Sequence, residues 1–289
     1  MPFGSYRDII DAYDAGKTFS TIFRKVPAVA TAAGIWFDLS MVPGIPGPNY
    51  YASSPAVAET LTPTTGSGTA GIQYGGNLPS SAGKKYLARS VIFTSIAPMA
   101  LILCDYLLYY PFMDMGDTAP QTMDNTKALT RYTDGEGVRI MAVEVAPQIG
   151  SATFTVSYTN QDGISDRTTK RCRCNTQTVN GTIINTSATP SVSAFGGPFL
   201  NLQEGDTGVR SIESFTMSVA DTGLITLVLV KPLATLYTLE ALVPAETVWH
   251  KDRLTMPEIK NGAFLGLVAL SQASLASVTV QGELEFIWN

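Results

Sequence analysis

At 289 residues the chain is long enough for one large or two small domains with a sizeable core. Only 15% of its residues are charged, and 24 acidic against 19 basic residues leave a net charge of −5, which argues against a nucleic acid or an acidic membrane surface as partner. One histidine and three cysteines are too few for a multi-ligand metal enzyme, and no cofactor is expected.

Met1 to Gly16 carries Arg7, Asp8, Asp11 and Asp14 and no apolar core of a secretory signal, so Cys104, Cys172 and Cys174 are expected to stay reduced. A helix is predicted here instead. Ser5 is a good N-cap, Asp8 stands three residues on as in a capping box, and Tyr6, Ile9, Ile10 and Tyr13 share one face. Gly16 supplies the left-handed stop.

Residues 17–60 read as an irregular, extended arm. Val26-Pro27 and the run from Val42 to Pro48 forbid regular helix. Trp36, Phe37, Tyr50 and Tyr51 sit on it and must be buried against something, either the chain's own β-domain or a neighbouring subunit. Residues 61–84, rich in Thr, Gly, Ser and Pro, read as a loop between this leader and a β-domain over 85–289.

From Tyr86 onward the pattern is β. The apolar run Val91–Phe112 is broken by Pro98 and contains Asp105, so it is too short to span a bilayer and reads as two buried strands with a bend at Ala97-Pro98. Strands are predicted over Val138–Ala146, Ala152–Thr159, Thr168–Val179, Thr182–Thr186, Val209–Ala220, Leu224–Val230, Ala263–Leu270 and Val278–Trp288. Asn180-Gly181 and Asp221-Thr-Gly223 are hairpin signals between them. Thr122–Leu129 and Leu233–Leu242 are the modest helix candidates. Short strands with a turn about every ten residues favour a sandwich or a barrel.

No motif makes a convincing reactive centre. Gly66-Ser-Gly68-Thr-Ala-Gly71 spells a dinucleotide fingerprint but lacks the strand before it and the helix after it. Cys172-Arg-Cys174 places two thiols on one strand face without the remaining zinc ligands. His250 is the one histidine any triad would need, and no nucleophile elbow accompanies it. Asp114, Asp117, Asp124, Asp134 and Glu136 lie in loops whose spacing does not fit a calcium loop, so they read as solvated turns. No catalytic residue is assigned, and an enzyme is not expected.

Trp36-Phe-Asp38-Leu-Ser40 followed by Gly44-Ile-Pro46-Gly-Pro48-Asn-Tyr50-Tyr51-Ala52 resembles a stretch found in structural proteins of tailed-phage virions. The likeness covers about residues 30–60. The β-rich, low-charge remainder is similar in style to capsid-associated jelly-roll and sandwich proteins. It does not resemble the HK97-type major capsid protein, whose long spine helix and charged scaffold region are not found. The resemblance implies a mainly β chain, a jelly-roll-like β-sandwich with an N-terminal helix and an extended arm. It also implies a non-enzymatic virion component, most simply a capsid decoration or cement protein stabilising the phage head. The partners would be other virion proteins, the major capsid protein first, in a homo-oligomer such as a trimer, with Trp36, Phe37, Tyr50 and Tyr51 as anchors. Tail, connector or major-shell roles, or a glycan- or receptor-binding virion protein, are the alternatives.

Overall fold

The computed structural model describes residues 3–63, 71–79, 83–174, 178–187, 197–252 and 255–289. Most of the glycine motif at 66–71 lies outside them. Helix α1 (Tyr6–Asp14) forms as predicted: Asp8 N donates to Ser5 Oγ, Ser5 N donates to Asp8 Oδ2, and Gly16 takes φ +65° just past the end. No helix among the described residues is long and apolar enough to cross a membrane.

Among the described residues eleven strands of three or more residues follow: β1 (Thr18–Lys25), β2 (Trp36–Asp38), β3 (Lys85–Thr94), β4 (Met99–Asp114), β5 (Arg139–Ala146), β6 (Thr153–Asn160), β7 (Val209–Met217), β8 (Leu224–Thr238), β9 (Ala245–Val248), β10 (Leu265–Ser271) and β11 (Val280–Trp288). Eight of them form one long antiparallel ribbon. β1 pairs with β11, β2 with β10, β3 with β9 and β4 with β8. The ribbon is then rolled, so that β11 also pairs with β3 and β10 with β4. The result is a first sheet in the order β9-β3-β11-β1 and a second in the order β2-β10-β4-β8. Two sheets wound from one ribbon in this order are a jelly roll.

β4 and β8 run on for 16 and 15 residues, well past the first sheet. The 115–223 insertion between them adds β5 to the edge of β8 and builds a third sheet around β6 and β7. The second sheet therefore backs both of the others. Phe23, Leu87, Leu284 and Phe286 of the first sheet meet Leu101, Leu103, Leu236 and Leu267 of the second. Further along, Tyr110, Ile140, Leu227 and Leu229 meet Phe154, Val156, Ile212 and Phe215 of the third.

Four expectations are corrected by tertiary contacts. The stretch 17–60 is not an arm: β1 pairs with β11 over eight consecutive residues and β2 lies beside β10. Leu233–Leu242 is not a helix. Its first half continues β8, with a register shift beside Pro232 that accommodates the missing N–H, and alternates Leu236 buried, Tyr237 exposed, Thr238 buried. Thr122–Leu129 forms no helix either, because its start pairs with β7. Of the two strands expected on either side of Asn180-Gly181, the described residues show the two-residue strands Arg167–Thr168, Cys172–Arg173 and Thr186–Ser187, and residues 175–177 lie outside the described residues.

The segment 181–184 decides the shape of the second sheet. Glu144 N donates to Thr182 O and Ile184 N to Ala142 O on the β5 side, while Asp38 N donates to Gly181 O and Ile183 N to Trp36 O on the β2 side. Hydrogen bonding thus runs round a ring of β2, β10, β4, β8, β5 and this segment, and closure of this kind leaves a sheet without an edge. Gly181 is required at the joint. Its φ is +97°, and a Cβ there would stand 2.7 Å from the Phe37 ring. A third apolar cluster, including Cys104, Tyr106, Met141, Val143, Ile183, Val228 and Val268, fills the ring.

Candidate functional site

The four aromatic residues singled out from the sequence separate in the structure. Phe37 is 1% exposed, in the core between the first two sheets, and Tyr51 is wholly buried in the ring, its ring centroid 5.3 Å from that of Tyr109. Neither reaches another subunit. Their neighbours in sequence stay accessible: Trp36 is half-buried at the rim of the ring cluster, and Tyr50 is 58% exposed. Strand alternation is the physical reason for the first split, and a left-handed backbone at Tyr51, φ 52°, turns that side chain inward.

Tyr51 belongs to a buried polar network that sequence reading missed. Its hydroxyl donates to Asp38, which also accepts from Ser40 N at 2.8 Å, Ser40 Oγ at 2.9 Å and the Tyr106 hydroxyl at 2.7 Å. Burial pushes the Asp38 carboxyl up, and the four donors oppose that shift. Nearby, the Lys25 ammonium donates to the carbonyls of Val42, Pro46 and Gly47, and burial brings its pKa down to about 8. Arg131 clamps Asp105 with two bonds of 2.9 Å and also donates to the carbonyls of Leu61 and Tyr106. These charges tie loops to the ring. The Asp105 and Arg131 side chains are 0% and 4% exposed.

The other candidates resolve into local roles. His250 stands edge-on to Tyr6, with 6.1 Å between ring centroids, and its carbonyl accepts from the Tyr6 hydroxyl. Cys172 and Cys174 share one face, as alternation predicts, and lie in the core of the insertion. Among the described residues no group of three or more metal-ligating side chains comes together. Asp114, Asp117, Asp124 and Asp134 each accept from the backbone N–H two residues on, at 2.8–3.1 Å, which is the bond of an Asx turn.

Apolar side chains are uncovered at several places, singly at Ile149, Ile164 and Val219 of the insertion and at Tyr237 of β8, and gathered on one face of the first sheet. Helix α1 buries only Ile9 and Ala12, leaving Tyr6, Ile10 and Tyr13 exposed along one stripe. The Tyr13 hydroxyl bonds Glu285 of β11, and burial together with that carboxylate pushes its pKa up to about 12. The helix therefore lies on the outer face of the first sheet. Beyond it on the same sheet is a charged belt, Arg89 with Glu246 at 2.6 Å, Glu285 at 3.5 Å and Glu283 at 3.6 Å. An open groove lined by Ile22, Val91, Phe93, Leu242 and Pro244 follows. Ile22 and Leu242 are 73% and 66% exposed, a degree unusual for side chains of this size gathered in one place.

No protein-family model and no curated protein matches the chain. Among solved structures, the infectious bursal disease virus VP2 subviral particle aligns over 94% of this chain and 80% of that one, at 11% identity and a TM-score of 0.20. The Gx strain structure of the same virus aligns over the same shares at 10% identity and a TM-score of 0.16. A likeness at this level carries no weight, and the jelly-roll order rests on the hydrogen-bonded pairing in this chain.

Proposed function

We propose that the chain is a structural protein of a virion, and that it assembles through the outer face of its first sheet, including α1. The supporting observation is the position of the apolar surface. Both sandwiches and the ring close on the chain's own side chains, yet Tyr6, Ile10, Ile22 and Leu242 stay exposed together on this face, whereas Ile149, Ile164 and Val219 of the insertion lie away from it. A jelly roll alone does not select this role, since lectins and cupins share it. The low charge lowers the desolvation cost of association, and the 30–60 stretch resembles tailed-phage structural proteins. In this reading the protein is a decoration or cement component bound to the major shell protein of a phage head, made in the bacterial cytoplasm and located in the virion. Avidity over a symmetric lattice makes modest single contacts sufficient, and a trimer suits that symmetry. Trp36 and Tyr50 remain as rim contacts, while Phe37 and Tyr51 are withdrawn as anchors because they are core residues.

The test is incorporation into particles. Ile10→Asp combined with Leu242→Asp is expected to lower incorporation at least about tenfold, equivalent to ~1.4 kcal/mol, without moving the thermal midpoint of the free protein. Unchanged incorporation of this variant would refute the reading.

A further inference from the structure

We infer that β1 is the strand through which two copies of this chain join, edge to edge about a two-fold axis, so that their first sheets become one. The proposal stands on the sheet edge and holds whatever the assembly is for.

An antiparallel sheet must do something with each outer row of backbone N–H and C=O groups. In the second sheet the 181–184 segment covers both edges. In the third, β7 is covered by Gln121–Thr122, by Met123 N on Glu213 O, and by the Asn125 side chain on Ile212 O. In the first, β9 is four residues long and carries Glu246, held by Arg89. β1 differs from all of these. β11 occupies one side of it, and on the other only Arg24 and Lys25 are paired, with Ile45 and Gly44. The run Thr18–Phe23 has no hydrogen-bonded partner on that side among the described residues.

That run also lacks the usual guards. It holds no charge and no proline, and its pairing with β11 passes through eight residues without a bulge. Ser20 and Ile22 face solvent, while Phe23 faces the core.

A free strand edge is satisfied by another strand. The occupant that fits is a second copy, because the run complements itself. Residues opposite each other in antiparallel strands lie on the same face, so a two-fold axis through the sheet must pair positions of equal parity. Centred on Thr21, it sets Thr21 against Thr21, Ser20 against Ile22 and Phe19 against Phe23. Core-side chains stay on the core side, and within the free stretch Phe19–Phe23 no charged residue is present. The Gly44–Ile45 strand bounds the run at one end and the turn at Gly16 at the other, so the contact closes as a dimer rather than growing along the edge.

The experiment uses the full chain. Wild-type protein in light scattering is expected to show an even number of chains, a dimer or, where the trimer of the preceding section also forms, a hexamer. Ser20→Lys with Ile22→Lys places like charges opposite each other at two solvent-facing positions, and is expected to halve the mass of the dimer while leaving the thermal midpoint in place. Thr21→Cys is expected to form a chain-to-chain disulfide under mild oxidation, or Ser20→Cys if the axis passes one residue earlier. All three native cysteines are buried, so they give no background. A monomeric wild type overturns the proposal. So does an assembly that survives the double lysine substitution and gives no crosslink at either position. Loss of particle incorporation with an intact crosslink would separate the face contact of the preceding section from this edge.

Discussion

Asp105, midway along β4, is wholly buried with both oxygens engaged, bidentate to Arg131 and with Phe264 N donating as well. Glu144, near the end of β5, is just as buried, and neither of its oxygens has a hydrogen-bond partner. Gln148, four residues on, is also buried with both side-chain polar atoms unpartnered. The two regions thus treat buried polar groups in opposite ways. Around the ring each of these charges is a nail: Asp105 with Arg131 fixes the Leu61 carbonyl, Asp38 fixes Tyr51, and Lys25 fixes the loop at 42–47. At the seam with the insertion, burial pushes the Glu144 pKa up to about 8 against the opposing pull of the Gln148 backbone, so the protonated form is favoured at neutral pH. The lesson concerns rigidity. The buried charges around the ring are held by directional bonds, whereas Glu144 at the seam is held mainly by apolar packing.

The sharpest way to break this contrast is Arg131→Met. It leaves Asp105 buried without its cation, and denaturant unfolding is expected to show a loss of about 3–5 kcal/mol. Adding Asp105→Leu should restore much of that, since an apolar pair of similar volume avoids the desolvation cost. Tyr51→Phe is a smaller cut. It removes one of four donors to Asp38 without removing the ring, and a loss of about 1.5–3 kcal/mol is expected by the same measurement.

The seam is probed by pH. A carboxyl whose folded pKa is raised keeps its proton in the native state while the unfolded chain releases it. Its contribution is therefore fully present below the ordinary carboxylate value and is lost as pH rises towards 8. Wild-type protein should lose stability between about pH 5 and pH 8, and Glu144→Gln should flatten that slope by about 1–3 kcal/mol over the range. The Gln148 backbone bears on Glu144 directly, and Glu144 in turn adds to the shift of the Cys174 thiol, which burial first and Asp221 next raise to about 12. A slope unchanged by the substitution would mean that Glu144 finds a partner at the seam.

Much of the secondary structure was legible from residues alone. The capping box at Ser5 and Asp8, the strand pair broken at Pro98, and the strands β5, β6 and β11 are signals confined to a few neighbours in sequence, and local rules read them. The candidate site was less legible. Tyr6, Ile10 and Tyr13 look like a buried helix face on paper, because a pattern marks which residues are apolar and not which side meets a sheet. Trp36, Phe37, Tyr50 and Tyr51 look alike in a proline-rich stretch, yet their exposures run from none to more than half.

What tertiary structure alone decided is the pairing. Thr18 lies beside Ile287 and Trp36 beside Leu270, and no local preference encodes a partner more than two hundred residues away. Those pairings drew the supposed arm into both sheets, carried β8 through a stretch with helical leanings, and closed the second sheet over Gly181. Composition, caps and periodicity determined that the chain is mainly β with one capped helix, since each acts over a turn or a strand. The winding of the ribbon, the burial of Phe37 and Tyr51 and the open edge of β1 follow from how distant strands share hydrogen bonds and apolar faces, which only the folded chain brings together.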